Sequence, residues 1–315
     1  MVFMLDPRLT YSEPIIDAHT HVVDDEALPL LIRISESYGV KKIILIVHDS
    51  DIEAISNNYP GKFIFAKYFS GWVLFANSMK KIIPEVLRLR EQGYRVAKIH
   101  FAPFWIDRLA GSESVPPVDD AIYDKFFDTL SDEDIPTIIH IGDPDTYFST
   151  RYADVKSYGT KEEHILAFEN RLKKNPGLRF QVAHFAAQPE CHRLDNLDRM
   201  LKTYNNMRLD ISSARWMARE LGKDTKRASE LITKYQDRIL FATDCVARSR
   251  DTNYYDGRYL ALRLLLETDV QEVPLPFIDR DTIETGGTFI NGLNLKHSIL
   301  SKIYFENAKE LYEIE

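Results

Sequence analysis

Short runs rich in β-branched residues alternate along the chain with segments that carry apolar residues at helical spacing. Eight runs predict strands, at residues 14–22, 41–48, 62–69, 95–101, 136–143, 178–185, 207–212 and 238–244. Residues 43–47, IILIV, are continuously apolar, as expected of a strand covered on both faces. Most of the segments between the runs have the spacing of amphipathic helices.

Eight strands alternating with helices predict a (β/α)8 TIM barrel in the α/β class. An open doubly wound sheet is less favoured, because no glycine-rich GxGxxG turn follows any run. After the eighth strand, residues 271–289 are irregular in pattern and residues 297–314 are amphipathic. We expect them to form a C-terminal helical elaboration of one domain that spans residues 1–315.

The first run, IIDAHTHV, carries an acid and two histidines at alternate positions. In a regular strand Asp17, His19 and His21 share one face, with the two imidazoles about 7 Å apart along the backbone. Two imidazoles at this spacing could chelate one ion. The alternative is an exposed edge strand with a polar face.

Histidines recur at the ends of the predicted strands, and in a barrel these carboxyl ends build the active site. The strand-end histidines are His19, His21, His48, His100, His140 and His184. Asp244 ends the eighth strand, which lies beside the first when a barrel closes. Together His19, His21, His140 and Asp244 offer three imidazoles and a carboxylate, a set that suits Zn²⁺ first, with Mn²⁺, Fe²⁺ or Co²⁺ as alternatives.

Composition narrows the range of partners. The formal net charge of −8 argues against a nucleic-acid partner, which would require a basic face. No run reaches the length of a membrane span, and the first residues lack the pattern of a signal peptide, so we expect a cytoplasmic protein without a membrane partner. Cys191 and Cys245 form no disulfide framework. Association into homo-oligomers stays open.

Five stretches together resemble a known family: DAHTHV on the first strand, IIHIGD on the fifth, VAHFAA on the sixth, RILFATD on the eighth and the closing IYFENAKELY. In this order they resemble the amidohydrolase superfamily, specifically the amidohydrolase-related branch of TIM-barrel metal-dependent hydrolases. The resemblance extends over nearly the whole chain and implies an enzyme. That branch includes hydrolases, lactonases, hydratases and non-oxidative decarboxylases.

The resemblance implies roles for individual residues. His19, His21, His140 and Asp244 would bind the metal, and His184 would hydrogen-bond water or polarise the substrate. Lys98, on the fourth strand, would be a carboxylated bridge between two ions in a binuclear member. We expect one ion, in which case Lys98 binds a substrate carboxylate or pairs with an acid.

A bound divalent ion lowers the pKa of water towards neutrality. On this hypothesis Asp244 takes the proton of that water and later delivers it to the leaving group, while His184 assists in polarising the carbonyl. Candidate substrate-binding residues follow the strand ends: Trp105, Tyr147, Arg151, Arg215 and Arg248. Arginines beside aromatic rings suit a small, planar or carboxylated molecule.

The leading hypothesis is a metal-dependent hydrolase of an amide, lactone or related carbonyl compound. A metal-dependent decarboxylase or hydratase is the second, because a lyase could use the same ligands. A third resembles the TatD-type nucleases, which also begin with a DxHxH strand, but Lys98 and the net acidity argue against it. A binding protein on a degenerate barrel is disfavoured because the ligand set is complete.

Overall fold

The computed structural model describes residues 6–48, 50–71, 74, 77, 79–103 and 115–315. The strands are β1 (Ile15–Val22), β2 (Val40–Val47), β3 (Phe63–Ser70), β4 (Tyr94–His100), β5 (Thr137–His140), β6 (Phe180–Val182), β7 (Met207–Asp210), β8 (Ile239–Leu240), β9 (Cys245–Ala247), β10 (Val273–Pro274) and β11 (Phe289–Ile290). The main helices are α1 (Leu28–Ser37), α2 (Ile52–Asn58), α3 (Met79–Leu87), α4 (Asp124–Asp132), α5 (Asp145–Phe148), α6 (Val155–Tyr158), α7 (Lys161–Lys174), α8 (Leu194–Thr203), α9 (Ala214–Leu221), α10 (Thr225–Lys234), α11 (Thr252–Glu267), α12 (His297–Ser301) and α13 (Asn307–Leu311).

The first nine strands form one parallel sheet in the order β8-β7-β6-β5-β4-β3-β2-β1-β9. Strands β8 and β9 are two parts of one segment, of which β8 pairs with β7 and β9 pairs with β1. Between them the Ala18 amide donates to the Phe241 carbonyl at 3.0 Å, and the Asp244 amide donates to the His19 carbonyl at 2.8 Å. The sheet therefore closes on itself, and the predicted TIM-barrel fold is confirmed.

A β-bulge in β1 places Asp17 on a different face of the strand from the one predicted from the sequence. The register against β2 shifts between Asp17 and Thr20, so that one extra residue is inserted in β1. Before the bulge, Ile16 and Ala18 lie in an inner apolar cluster, whereas Asp17 accepts a hydrogen bond from Tyr259 of the outer helix α11 at 2.7 Å. After it, His19 turns inward. Asp17 is therefore on the side opposite His19 and His21, because strict alternation fails across a bulge.

The predicted C-terminal elaboration plugs one end of the barrel. α12 and α13 are joined by a π-helical segment, Lys302–Glu306, so the final helix is continuous. Leu311, Tyr312 and Ile314 pack on inward residues of the strands, and the Tyr312 hydroxyl donates to the Gln181 side chain. A larger apolar cluster fills the layer between the strands and the outer helices. The stretch predicted to be irregular contains the small antiparallel pair β10 and β11.

Polar side chains mark where the helices begin. Asp51, Asp224 and Asp251 accept hydrogen bonds from backbone amides in the first turns of α2, α10 and α11. At α7, Thr160 and Glu163 form a reciprocal capping box. Each satisfies amides that have no partner within the helix. No helix in the described part of the chain combines the length and apolar character needed to cross a membrane.

A buried ion pair ties the N-terminal segment to α11. Glu267 accepts from the Arg263 guanidinium, from the Tyr304 hydroxyl at 2.8 Å and from the Thr10 and Tyr11 amides at 3.0 and 3.1 Å. The side chains of Arg263 and Glu267 are only 1% and 0% exposed. Removal of either charge would leave the other buried without an opposite charge.

We predict that Arg263→Ala lowers the free energy of unfolding by about 3–5 kcal/mol, because the Glu267 carboxylate stays buried without its cation. Denaturant unfolding followed by circular dichroism measures the loss. Arg227→Ala is the control, since Arg227 pairs with Asp195 on the surface. It should leave the midpoint nearly unchanged, and equal shifts for both variants would contradict the prediction.

Candidate functional site

Barrel closure brings together three of the predicted metal ligands. One donor atom from each of His19, His21 and Asp244 lies within 4.8 Å of the other two. The two Nε2 atoms are 3.2 Å apart, and Asp244 Oδ1 is 3.4 Å from that of His19 and 3.3 Å from that of His21. Asp244 has a left-handed backbone, φ 54°, directly before β9. This strained turn at the barrel rim accompanies the inward placement of its carboxylate.

The fourth predicted ligand, His140, is not part of this group. Its Nε2 lies 2.9 Å from the Gly142 carbonyl and 3.2 Å from Asp143 Oδ1, and its ring centre is 4.5 Å from that of His184. Asp143 also accepts from the Tyr152 hydroxyl at 2.6 Å. Sequence reasoning missed Asp143, although it ends the fifth predicted strand in IIHIGD.

Six histidines and one tyrosine form a closed ring of aromatic side chains at the barrel mouth. Neighbouring ring centres are between 4.2 and 6.5 Å apart. In order, the members are His19, His21, His48, Tyr68, His100, His140 and His184. All six strand-end histidines of the sequence therefore meet at one site.

Burial keeps imidazoles of this ring neutral. It lowers the pKa of His21 and that of His184 to about 3 each, and it lowers the pKa of His100 well below its usual range, since a charged ring would lose its hydration. A neutral imidazole keeps one nitrogen lone pair, which a metal ion requires.

Lys98 and Asp244 supply the charges inside the ring. The Lys98 ammonium lies 3.1 Å from His19 Nε2, and burial lowers its pKa to about 8 although Asp244 and Asp210 oppose the change. Burial alone would raise the pKa of Asp244, but the imidazoles of His19 and His21 hold it well below its usual value. The Asp244 side chain remains 31% exposed, so a molecule in the barrel mouth can reach it.

A second buried acid, Asp210, stands behind the histidines. It ends β7 and lies 3.0 Å from His19 Nδ1, and it accepts a hydrogen bond from Ser212, whose Oγ is 2.7 Å from His184 Nδ1. Burial alone would raise the pKa of Asp210, but its interactions with His19, His184 and Ser212 together lower that pKa below its usual value. Sequence reasoning missed Asp210, which lies two residues before the end of the seventh predicted strand, whereas Asp244 ends the eighth.

The predicted substrate-binding residues divide into two groups. Arg215 donates to the Tyr147 hydroxyl at 2.8 Å, and Trp216 lies 5.6 Å from Tyr147 and 5.1 Å from His184 between ring centres. Tyr147, Arg215 and Trp216 therefore form an aromatic and cationic wall beside His184. Arg151 and Arg248 are exposed and take no part in this wall. Trp105 lies outside the described residues.

Comparison with solved structures supports the fold. A chain from Pseudomonas putida, to which 2-pyrone-4,6-dicarboxylic acid hydrolase activity is attributed, is 11% identical, with a TM-score of 0.55 over 96% of this chain and 98% of its own. A 5-carboxyvanillate decarboxylase from Novosphingobium aromaticivorans with bound manganese is 13% identical, with a TM-score of 0.55 over 96% and 97% of the two chains. An amidohydrolase from Burkholderia multivorans with bound zinc is 11% identical, with a TM-score of 0.56 over 96% and 100%.

A search of curated proteins gives no match to this chain. The amidohydrolase family model matches residues 65–314. This range contains His140, His184 and Asp244, whereas the two histidines of β1 precede it. The match spans most of the sequence, and it confirms the predicted family. The chain belongs to the amidohydrolase family and is an enzyme of the amidohydrolase type.

Proposed function

We propose that this enzyme is a metal-dependent hydrolase that directs an activated water at a carbonyl group of a small, anionic organic substrate. The observation that carries the proposal is the convergence of His19, His21 and Asp244, whose donor atoms lie within 4.8 Å of one another. The family match supports an enzyme of this type.

The chemistry of these donors fits a divalent ion. Two imidazoles and a carboxylate are ligands that zinc accepts readily, with manganese, iron or cobalt as alternatives. The structural relatives from B. multivorans and N. aromaticivorans contain zinc and manganese, respectively. His140 Nε2 would join the set only by giving up its contacts with the Gly142 carbonyl and Asp143. We propose one ion, because one group of converging donors occurs among the described residues.

A divalent ion held there would supply Lewis acidity, which acidifies water and polarises a carbonyl. Asp244 holds the proton-transfer position: it is ionised, and its side chain is accessible from the barrel mouth. It would take a proton from the attacking water and return it to the leaving group. His184 would orient the same water, since its Nε2 lies 3.9 Å from Asp244 Oδ2.

Lys98 would provide the positive charge of the pocket. Its ammonium could pair with a substrate carboxylate, and it lies 3.1 Å from His19 Nε2. In a two-ion site, its carboxylated form would bridge the metals instead.

The wall of Tyr147, Arg215 and Trp216 would bind the rest of the substrate. A guanidinium between two aromatic rings favours a planar acid, because it offers charge, hydrogen bonds and stacking surface together. Arg151 and Arg248 would act at the rim, where exposed cations attract an anion towards the site.

Decarboxylation is the second candidate. A 5-carboxyvanillate decarboxylase shares the fold, and a pocket with Lys98 and Arg215 could accept an aromatic acid. In that reaction the same residues would hold the metal, and the substrate would lose its own carboxylate as carbon dioxide.

We predict that purified protein holds about one equivalent of zinc or manganese and that the His19→Ala/His21→Ala variant holds none, because two of three converging donors are then lost. Plasma mass spectrometry after metal-replete expression measures the content. His297→Ala is the matched control, since His297 is 59% exposed and lies outside the ring. Metal-free wild-type protein would refute the proposal, and two equivalents would favour the carboxylated Lys98.

Asp244→Asn should lower kcat by about 10²–10⁴-fold, because an amide cannot accept the proton of water. Turnover is measured at equal metal occupancy, so that loss of the ion is separated from loss of the base. A variant with bound metal and full activity would remove Asp244 from this role.

A panel of lactones, amides and aromatic or unsaturated acids distinguishes the two candidate reactions. We predict uptake of water with acid release from a lactone or amide and no carbon dioxide from the acids. Titration at constant pH follows acid release from lactones, an assay for free amine follows amide hydrolysis, and a coupled carbon dioxide assay follows decarboxylation. Metal-dependent carbon dioxide release would replace hydrolysis with decarboxylation.

A further inference from the structure

Asp210 receives five hydrogen bonds at the end of β7. Its Oδ2 lies 3.0 Å from His19 Nδ1 and accepts from Gln181 Nε2 at 2.7 Å. Its Oδ1 accepts from the His184 amide at 2.9 Å, from the Ser212 amide at 3.1 Å and from the Ser212 hydroxyl. Because three of these contacts come from amide N–H groups, which can only donate, both oxygens of Asp210 act as acceptors, as in an ionised carboxylate.

This carboxylate determines which nitrogen of His19 carries hydrogen. An ionised carboxylate can only accept, so the hydrogen of this contact is on His19 Nδ1, and an imidazole with that single hydrogen keeps the lone pair of Nε2. The Lys98 ammonium, 3.1 Å from His19 Nε2, leads independently to the same assignment, because an ammonium can only donate. The lone pair of Nε2 faces His21 and Asp244, where the metal is proposed.

The same carboxylate acts on His184 through Ser212. A hydroxyl has one hydrogen, and the contact with ionised Asp210 requires that hydrogen, so Ser212 Oγ must accept from His184 Nδ1 at 2.7 Å. His184 Nε2 therefore also carries a lone pair. It faces Asp244 Oδ2 at 3.9 Å.

We infer that Asp210 is a positioning residue that sets the tautomers of both His19 and His184, so that two Nε2 lone pairs face the same centre. The importance of this arrangement for turnover rests on the proposed metal-dependent function. One consequence concerns His184: with Nε2 unprotonated, it can accept a hydrogen bond from water or coordinate a metal ion, but it cannot polarise a carbonyl by donating a hydrogen bond.

Long-range ¹H–¹⁵N spectra of metal-free protein labelled at histidine nitrogen test the inference directly. We expect the Nδ1–H tautomer for both His19 and His184 in the wild type, with signals assigned by single histidine substitutions. An Nε2–H tautomer at either residue would overturn the inference. This measurement needs no variant of Asp210, so it decides the question even if such variants fold poorly.

The variant Asp210→Asn tests the role of the carboxylate, because an amide group replaces one acceptor oxygen by a donor. At least one of His19 and His184 should then shift to Nε2–H or to a mixture of tautomers, and chelator competition should show about 10–100-fold weaker zinc binding. Asp17→Asn is the matched control: Asp17 is equally buried on β1, but it hydrogen-bonds to no imidazole nitrogen among the described residues. Its partners are the hydroxyls of Thr243, Tyr259 and Thr20 and the backbone amides of His19 and Thr243. Unchanged tautomers in Asp210→Asn would contradict the inference.

Ser212→Ala separates the two arms of the network. It removes the link to His184 and leaves the contact between Asp210 and His19, so only the His184 signal should change. Metal affinity measured beside the spectra distinguishes the two proposals. Predicted tautomers without binding of zinc, manganese, iron or cobalt would support the role of Asp210 and refute the metal-dependent function, whereas metal binding with other tautomers would do the reverse.

Discussion

The closure of the barrel along β1 is the constraint on which the site depends. The segment that contains β8 and β9 bonds to β7 at its start and to β1 at its end. The Asp244 amide donates to the His19 carbonyl, and β1 pairs with β9 directly after it, so backbone hydrogen bonds hold the carboxylate beside the two imidazoles. Without closure, residues more than two hundred positions apart would have no reason to meet.

Many polar groups at this site are buried and contact one another instead of bulk solvent. Lone pairs of His19 and Asp244 face one another at 3.4 Å, an arrangement that is unfavourable without a cation between them. Lys98 supplies one positive charge nearby, and a divalent ion would supply a stronger one. The same burial that lowers the pKa values of His21 and His184 therefore also makes the centre selective for cations.

The site consists of an inner set of donors and an outer set of partners that orients them. Asp210 and His48 contact the Nδ1 atoms of His19 and His21, at 3.0 and 3.1 Å. Orientation by such partners is general for metal-binding histidines, because it determines which nitrogen carries hydrogen. The wall of Tyr147, Arg215 and Trp216 lies beside His184. A substrate bound there would be in reach of both Asp244 and the cationic groups.

The sequence alone determined the fold class, the family and the strand ends that carry the histidines, since hydrophobic runs and motif order are local properties of the chain. It also indicated Asp244, because a closed barrel makes the first and eighth strands neighbours.

Only the tertiary structure decided the directions in which the side chains point. The bulge in β1 separates Asp17 from His19, a shift in register that depends on pairing with β2 and not on the residues of β1 alone. Asp143 and Asp210 resembled ordinary strand-end acids until folding placed them against His140 and His19. The contact between Asp143 and His140 depends on a loop conformation, and that between Asp210 and His19 joins distant parts of the chain. Neither kind of contact leaves a periodic signal in a sequence.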